Sequence, residues 1–211
     1  MRTFVLGVAA LACSAWFSAS AMAEDLEILD PQIAQAFAQA LVEEADKKVE
    51  KPQVKIDADI EKACGVHLDQ VGLIIVPNKD ISPENDKANS DPGAPVAHLF
   101  MSHVFTPVID GKPVDPSKIR QITFSGQDGN EHKVNYLILA ARHTAEDDVW
   151  HLYAYGTDEK PLIDARIGEG TGPGTQPLAL EVKELENNEG TAYLTFFDQF
   201  QCTFKINHKP D

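Results

Sequence analysis

The chain has 211 residues, 43% of them hydrophobic, and a formal net charge of −15. The length fits one domain or two small ones, and the hydrophobic share supports a packed core and excludes a disordered polymer. Because an acidic surface repels phosphate, and no cluster of Lys and Arg interrupts it, the composition argues against nucleic acids and anionic lipid surfaces as partners.

Residues 1–23 have the pattern of a secretory signal peptide. Arg2 precedes the apolar run 4–12, and the small residues of a cleavage site end at Ala23. The run is about half the roughly 20 residues that a membrane helix needs, so we expect cleavage after Ala23 and a periplasmic or extracellular chain with no transmembrane segment. Lipidation of Cys13 is the alternative, although the order of residues before it fits poorly.

An amphipathic helix is predicted next, within an N-terminal segment of residues 24–51. Asp30 is a suitable N-cap, Pro31 suits the first helical position, and Pro52 limits extension. Apolar side chains recur at helical spacing, among them Ile33, Phe37 and Leu41. Two roles stay open for this face: it packs on the rest of the protein, or it docks on a partner.

Residues 52–211 are predicted to form a single β-rich domain. Short runs of β-favouring residues are separated by turn signals such as Asp110-Gly111. The runs cover residues 54–56, 71–76, 98–105, 119–124, 134–141, 149–155, 162–167, 178–182, 192–197 and 201–206. Many short strands with little helix between them predict a mainly β fold, an antiparallel β-sandwich or curled sheet with one N-terminal α-helix.

The clearest hairpin joins residues 134–142 to 149–155 through a loop at 144–148. This register places Ile138 and Ala140 on one face with the even-numbered residues of the second strand: Trp150, Leu152 and Ala154. The other face carries Leu139 with Tyr153 and Tyr155. Because both faces are apolar, we expect the hairpin to lie centrally with cover on each side.

Two cysteines would stay in the chain after cleavage, Cys64 and Cys202. An even number of cysteines in an oxidising compartment predicts a disulfide between them. The chain-entropy model gives about 4–5 kcal/mol for so long a loop. The alternation of the last strand, with Phe200 and Phe204 inward, also turns Cys202 toward the core. The alternative is two buried thiols that pack as small hydrophobic side chains.

Metal binding through histidine is disfavoured by spacing. His98 and His103 form the closest pair, and an odd separation puts them on opposite faces of a strand. Calcium fits better, because the loop 77–95 is rich in oxygen ligands. Its candidate ligands are Asp80, Glu84, Asp86 and Asp91. The EF-hand order is absent, and a solvated acidic loop is the other interpretation.

Catalytic motifs are absent from the sequence. None of the serines stands in Gly-x-Ser-x-Gly, and the glycine-rich segment 168–174 lacks the Lys of a phosphate-binding loop and has Pro173 within it. One strand places His151, Tyr153 and Tyr155 at two-residue spacing, which could form an aromatic platform for a sugar or peptide. Packing of these rings in a central strand is the alternative.

The sequence therefore predicts an exported, non-catalytic binding or accessory module whose ligand is a protein, a glycan or an envelope component, with no cofactor required. Two alternatives stay open. The first is a hydrolase whose site is assembled from scattered carboxylates and histidines, which a cleft with convergent carboxylates would favour. The second is a structural or adhesive domain stabilised by calcium, which converging oxygen ligands from loop 77–95 would favour.

Overall fold

The computed structural model describes residues 25–82, 86–125, 130–145, 148–170 and 176–209. The predicted signal peptide, its cleavage site and Cys13 lie outside the described residues. The same holds for Glu84 of the acidic loop and for most of the glycine-rich segment.

The predicted helix is confirmed and spans Pro31–Lys48 (α1). The Asp30 carboxylate accepts hydrogen bonds from the backbone N–H groups of Gln32, at 2.9 Å, and Ile33, at 3.3 Å. These bonds satisfy donors that have no partner inside the helix. At the other end, Lys47 and Lys48 lie in the last turn, where cations complement the helix dipole. Both ends of α1 are therefore set by local side chains.

Thirteen strands follow or flank this helix within the described ranges, and all the ladders between them are antiparallel. They are Glu27–Ile28 (β1), Cys64–Leu68 (β2), Val71–Pro77 (β3), Ala94–Ser102 (β4), Phe105–Ile109 (β5), Lys112–Pro113 (β6), Arg120–Ser125 (β7), Glu131–Thr144 (β8), Val149–Tyr155 (β9), Ile163–Glu169 (β10), Leu178–Glu186 (β11), Glu189–Phe196 (β12) and Phe200–His208 (β13). The mainly β prediction is thereby confirmed.

The strands form one strongly curled sheet, a half-barrel, in the order β1-β2-β3-β4-β8-β9-β10-β13-β12-β11. Strand β7 adds to β8, and β5 and β6 extend from β13. Strand β10 pairs with β9 through residues 163–167 and with β13 through residues 168–169. The N–H of Leu26 donates to the carbonyl of Val182 on β11 at 3.1 Å. This bond brings the first residues of the described chain against the last strand of the sheet order.

Apolar side chains are buried on both sides of the sheet. The inner side holds the larger core, which includes Leu99, Leu139 and Leu194. The outer side is covered by α1, which packs on β2, β3 and β7, and by the segment 49–63, which follows the helix. Residues Ala38, Leu41 and Ala45 of the helix are buried against it. The helix thus packs on the sheet.

The register of the β8–β9 hairpin differs from the prediction by one residue. Thr144 pairs with Val149 and Ile138 pairs with Tyr155, so the connection is 145–148 and not 144–148. Because side chains alternate along a strand, a slip of one residue exchanges the two faces of β9 relative to β8. The two tyrosines of β9 lie in the outer core, and Leu152 lies in the inner core. Both faces are buried, as expected.

The predicted disulfide is wrong, because Cys64 and Cys202 are free thiols. The Cys64 Sγ lies 3.6 Å from the carbonyl oxygen of Leu178 on β11. Cys202 lies on β13, paired with Leu194 of β12, so β12 separates it from β11. Two strand spacings are about 10 Å, and a disulfide needs Cα atoms within about 7 Å. Burial raises the pKa of Cys64 to about 11 and that of Cys202 to about 12.

Candidate functional site

A pocket of about 440 Å³ opens at one end of the half-barrel. Its wall is built where β4 and β9 begin and where β8 and β10 end. The connection between β12 and β13 closes another side, and residues 81–82 complete the rim. Antiparallel neighbours bring these strand ends to the same edge, although they are far apart in sequence. The pocket is therefore a product of the curl of the sheet.

The lining of this pocket is mainly apolar and rich in aromatic rings. Its apolar members are Ile81, Ala94, Pro95, Val96, Ala141, Val149, Trp150, Ile167, Phe196, Phe197 and Phe200. Strand alternation explains the wall, since Trp150 and Ile167 pack against the inner core from β9 and β10. Small residues such as Ala141 leave the space that a larger side chain would fill.

The turn between β12 and β13 supplies the aromatic lip. Phe197 and Asp198 both have positive φ, 51° and 54°, a region that costs a residue with a Cβ about 1–2 kcal/mol. The turn holds Phe197 against the inner core. Phe200, three residues on, stays 38% exposed where the sequence predicted an inward side chain. Within β13, the buried inward side chains are Cys202, Phe204 and Ile206.

Polar groups stand around the rim. Asp148 Oδ1 lies 3.1 Å from His143 Nε2, so this carboxylate already has a partner. Arg166 and Asp164 alternate with the inward residues of β10, so their side chains leave from the outer face of the strand. Ser82 and Glu169 also line the opening. Most of the residues that line the pocket are therefore apolar.

The three residues of the predicted aromatic platform lie on the outer face of β9. Tyr153 and Tyr155 are buried, and the Tyr155 hydroxyl donates to the carbonyl of Pro92 at 3.0 Å. Arg142 lies over the Tyr153 ring, 4.6 Å from its centroid, and His151 stacks on the same ring at 6.0 Å. Both tyrosine rings are thus used in packing, and a ligand platform on this strand stays a prediction.

The predicted docking face of the helix is divided by its packing. Leu41 is 2% exposed and lies against the sheet, whereas Ile33 is 47% and Phe37 40% exposed. The rings of Phe37 and Phe124, the latter on β7, pack in a T-shaped arrangement with centroids 6.0 Å apart. Docking on a partner stays a prediction, and it has Ile33 and Phe37 as its accessible residues.

The predicted calcium ligands fall around the segment that begins after β3. Asp86 begins a short 3₁₀ turn, and Asp91 Oδ1 accepts a hydrogen bond from Arg142 at 2.9 Å. Asp80 is exposed beside Ile81, and Glu84 lies outside the described residues. Among the residues that the structure describes, no group of three His, Cys, Asp or Glu side chains is placed to hold a metal ion. Calcium binding therefore stays a prediction.

A buried histidine was missed as a special site by the sequence analysis. His98 on β4 is 4% exposed and stacks on Phe100 at 5.8 Å between ring centroids. Its Nδ1 lies 2.7 Å from the Tyr136 hydroxyl, and Nε2 has no hydrogen-bond partner among the described residues. Burial lowers the pKa of His98 to about 4, so the ring is neutral at pH 7. The sequence did carry a signal of this burial: His98 stands two residues before Phe100, which places both side chains on the same face of the strand.

Comparisons with protein-family models, with curated proteins and with solved structures give no match for this chain. In the described part of the chain, no helix combines the length and the apolar character that crossing a membrane requires.

Proposed function

We propose that this protein is an exported, non-catalytic module that binds a small apolar molecule in the pocket at the open end of the half-barrel. The observation that carries the proposal is the lining, in which Trp150 and the phenylalanines of the β12–β13 turn surround about 440 Å³. Small-molecule sites are concave, mainly apolar, and commonly about 300–1,000 Å³. The mouths of curled β-sheets are a frequent place for them.

The charge of the chain and of the pocket rim restricts the class of ligand that we expect in this pocket. The chain carries a net charge of −15, and the rim has the carboxylates of Asp148 and Glu169, whereas the Arg166 side chain leaves from the outer face of β10. An anionic head group would be repelled by this surface. We therefore expect an uncharged or cationic apolar ligand, stabilised by about 0.8 kcal/mol for each CH₂ group that it buries.

Export is supported by the signal-peptide pattern of residues 1–23. Its test is the intact mass of the protein recovered from the periplasm or medium, which should correspond to a chain that begins at Glu24. A full-length chain retained in the cytosol would contradict this part of the proposal and would leave the pocket argument unchanged.

The binding test uses a built-in reporter. In the chain that begins at Glu24, Trp150 is the only tryptophan, because the other one, Trp16, belongs to the signal peptide. Titration with N-phenyl-1-naphthylamine, an uncharged apolar fluorophore, should give saturable energy transfer from Trp150. Competition by unlabelled apolar molecules then ranks ligand classes. A linear response without saturation would contradict the proposal.

Two phenylalanines form a matched pair of variants for this titration. Phe200 at the lip of the pocket is 38% exposed, and Phe37 on α1 is 40% exposed. Phe200→Ala should weaken probe binding at least fivefold, since a half-exposed aromatic ring that closes over a ligand contributes about 1 kcal/mol or more. Phe37→Ala should leave it unchanged. Equal losses in both variants would show nonspecific adsorption.

A further inference from the structure

A second cleft, of about 380 Å³, lies between the C-terminal end of α1 and strand β7. Its charged lining residues are Lys48, Lys51 and Arg120, with Glu50 as the one carboxylate. With three cations and one anion, the lining has a net positive charge, whereas the whole chain has a net charge of −15. This cleft is therefore a local inversion of the surface charge.

Arg120 is the central residue of the cleft, and it has only neutral partners. The guanidinium is half-buried at the start of β7, where one terminal nitrogen donates to Gln53 Oε1 at 2.7 Å and the other to the carbonyl of Tyr155 at 3.4 Å. No carboxylate of the described residues makes an ion pair with it. Burial lowers the pKa of Arg120, and the phenol of Tyr136 opposes this effect.

A guanidinium that is partly withdrawn from water without a counter-ion is costly, so its place needs a reason. One reason is structural. Gln53 donates through Nε2 to the carbonyl of Asp158 at 2.5 Å while its oxygen receives Arg120, so the arginine helps to hold the segment 49–63 on the sheet. This role uses two hydrogen bonds and leaves other N–H groups of the fork without a partner.

The structural reason also does not account for the two lysines. Lys48 lies in the last helical turn, where a cation complements the dipole, but Lys51 lies beyond the helix. Neither lysine forms an ion pair with any residue that the structure describes. Both lysines line the cleft, although Lys48, together with Lys47, also acts electrostatically on Glu44.

We propose that this cleft binds a small soluble oxyanion, with the Arg120 fork making paired hydrogen bonds to its oxygens and Lys48 and Lys51 supplying charge. Planar, paired donors suit both phosphate and carboxylate groups. Glu50 at the rim disfavours bulky polyanions, so a compact ligand fits best. This cleft and the apolar pocket at the mouth of the half-barrel have no lining residue in common. The two proposed sites are therefore independent.

The test is calorimetric titration of the purified protein with inorganic phosphate and, in a second arm, with acetate at low ionic strength. We expect saturable one-to-one binding, and the tighter of the two anions identifies the ligand class. Arg120→Gln should weaken binding about tenfold, as expected for loss of charge-assisted hydrogen bonds. Lys51→Gln, at an exposed position that the fold does not need, should weaken it about threefold.

Lys55→Gln is the matched control. Lys55 is exposed in the same segment, 49–63, and does not line the cleft. Its substitution by Gln removes the same single positive charge as Lys51→Gln. It should leave the affinity for phosphate and acetate unchanged. The proposal is overturned if neither anion gives saturable heat at millimolar concentration, or if the Lys55 variant loses as much affinity as the Lys51 variant. If Arg120→Gln fails to fold, the Lys51 variant still tests the proposal, because it keeps Arg120 in place.

Discussion

Acidification should destabilise this protein because the imidazole ring of His98 is buried in the folded chain. In the folded chain the pKa of His98 is lowered from its ordinary value of 6.5 to about 4, because its surroundings are apolar. The unfolded chain therefore binds a proton that the folded chain does not bind between these two values. The contribution to stability is complete above pH 6.5 and is lost as the pH falls toward 4.

The size of the effect follows from the shift. Each pKa unit corresponds to about 1.36 kcal/mol, so acidification to pH 4 should lower the free energy of unfolding by about 3 kcal/mol through His98 alone. Such a loss is a large part of the stability of an ordinary domain. The ring is 4% exposed, so solvent screens this effect little.

The assay is urea denaturation at pH 7 and at pH 4 for the parent chain and for His98→Phe. The variant loses the partner of the Tyr136 hydroxyl at both pH values, so that cost cancels in the comparison. Carboxylates titrate alike in both chains. The parent should therefore lose about 3 kcal/mol more than the variant between the two pH values. The same pH dependence in both chains would refute the assignment.

Further predictions test the helix, its packing and the thiols. Asp30→Ala should cost about 1 kcal/mol of unfolding free energy, and Asp30→Ser should restore most of it. Leu41→Ala should cost about 2–5 kcal/mol by denaturation, whereas Ile33→Ala should cost less than about 0.5 kcal/mol because its side chain is exposed. Cys64 and Cys202 should resist alkylation at neutral pH in the native protein and both react after denaturation without reductant, as read by mass; failure to react then would reveal a disulfide.

The helix could be predicted from the sequence because its signals are local. Asp30, Pro31 and the two terminal lysines act within one turn of their own position. The β8–β9 register could not be predicted, since it depends on a single residue of loop length. Thr144 was assigned to the loop, and it pairs with Val149 in the sheet. That one assignment reversed the face of every residue in β9.

The disulfide prediction failed for a different reason. Counting cysteines and inferring a compartment says nothing about which strands are neighbours. The position of β12 between Cys202 and the strand nearest Cys64 is a long-range property of the topology. Two inward cysteines can therefore share one core without meeting.

The pocket could be predicted only in part. Strand alternation indicates that Trp150 and Ile167 point inward, but not that their strands end at the same edge of the sheet. The turn after β12 did carry a signal. Phe196, Phe197 and Phe200 surround a connection where polar residues are usual, and an aromatic turn of this kind is costly unless it covers something.

Strand β10 has a consequence for how a molecule could reach the pocket. Its ladder with β13 consists of two residue pairs, Gly168 with Gln201 and Glu169 with Phe200, whereas its ladder with β9 is longer. These two pairs, continued by the hydrogen bond from the Gly170 N–H to the Gln199 carbonyl at 2.6 Å, form a short seam beside the lip. Separation along the seam would widen the mouth of the pocket while the ladders on either side of the seam kept their hydrogen bonds. A ligand could then enter the pocket without unfolding of the sheet.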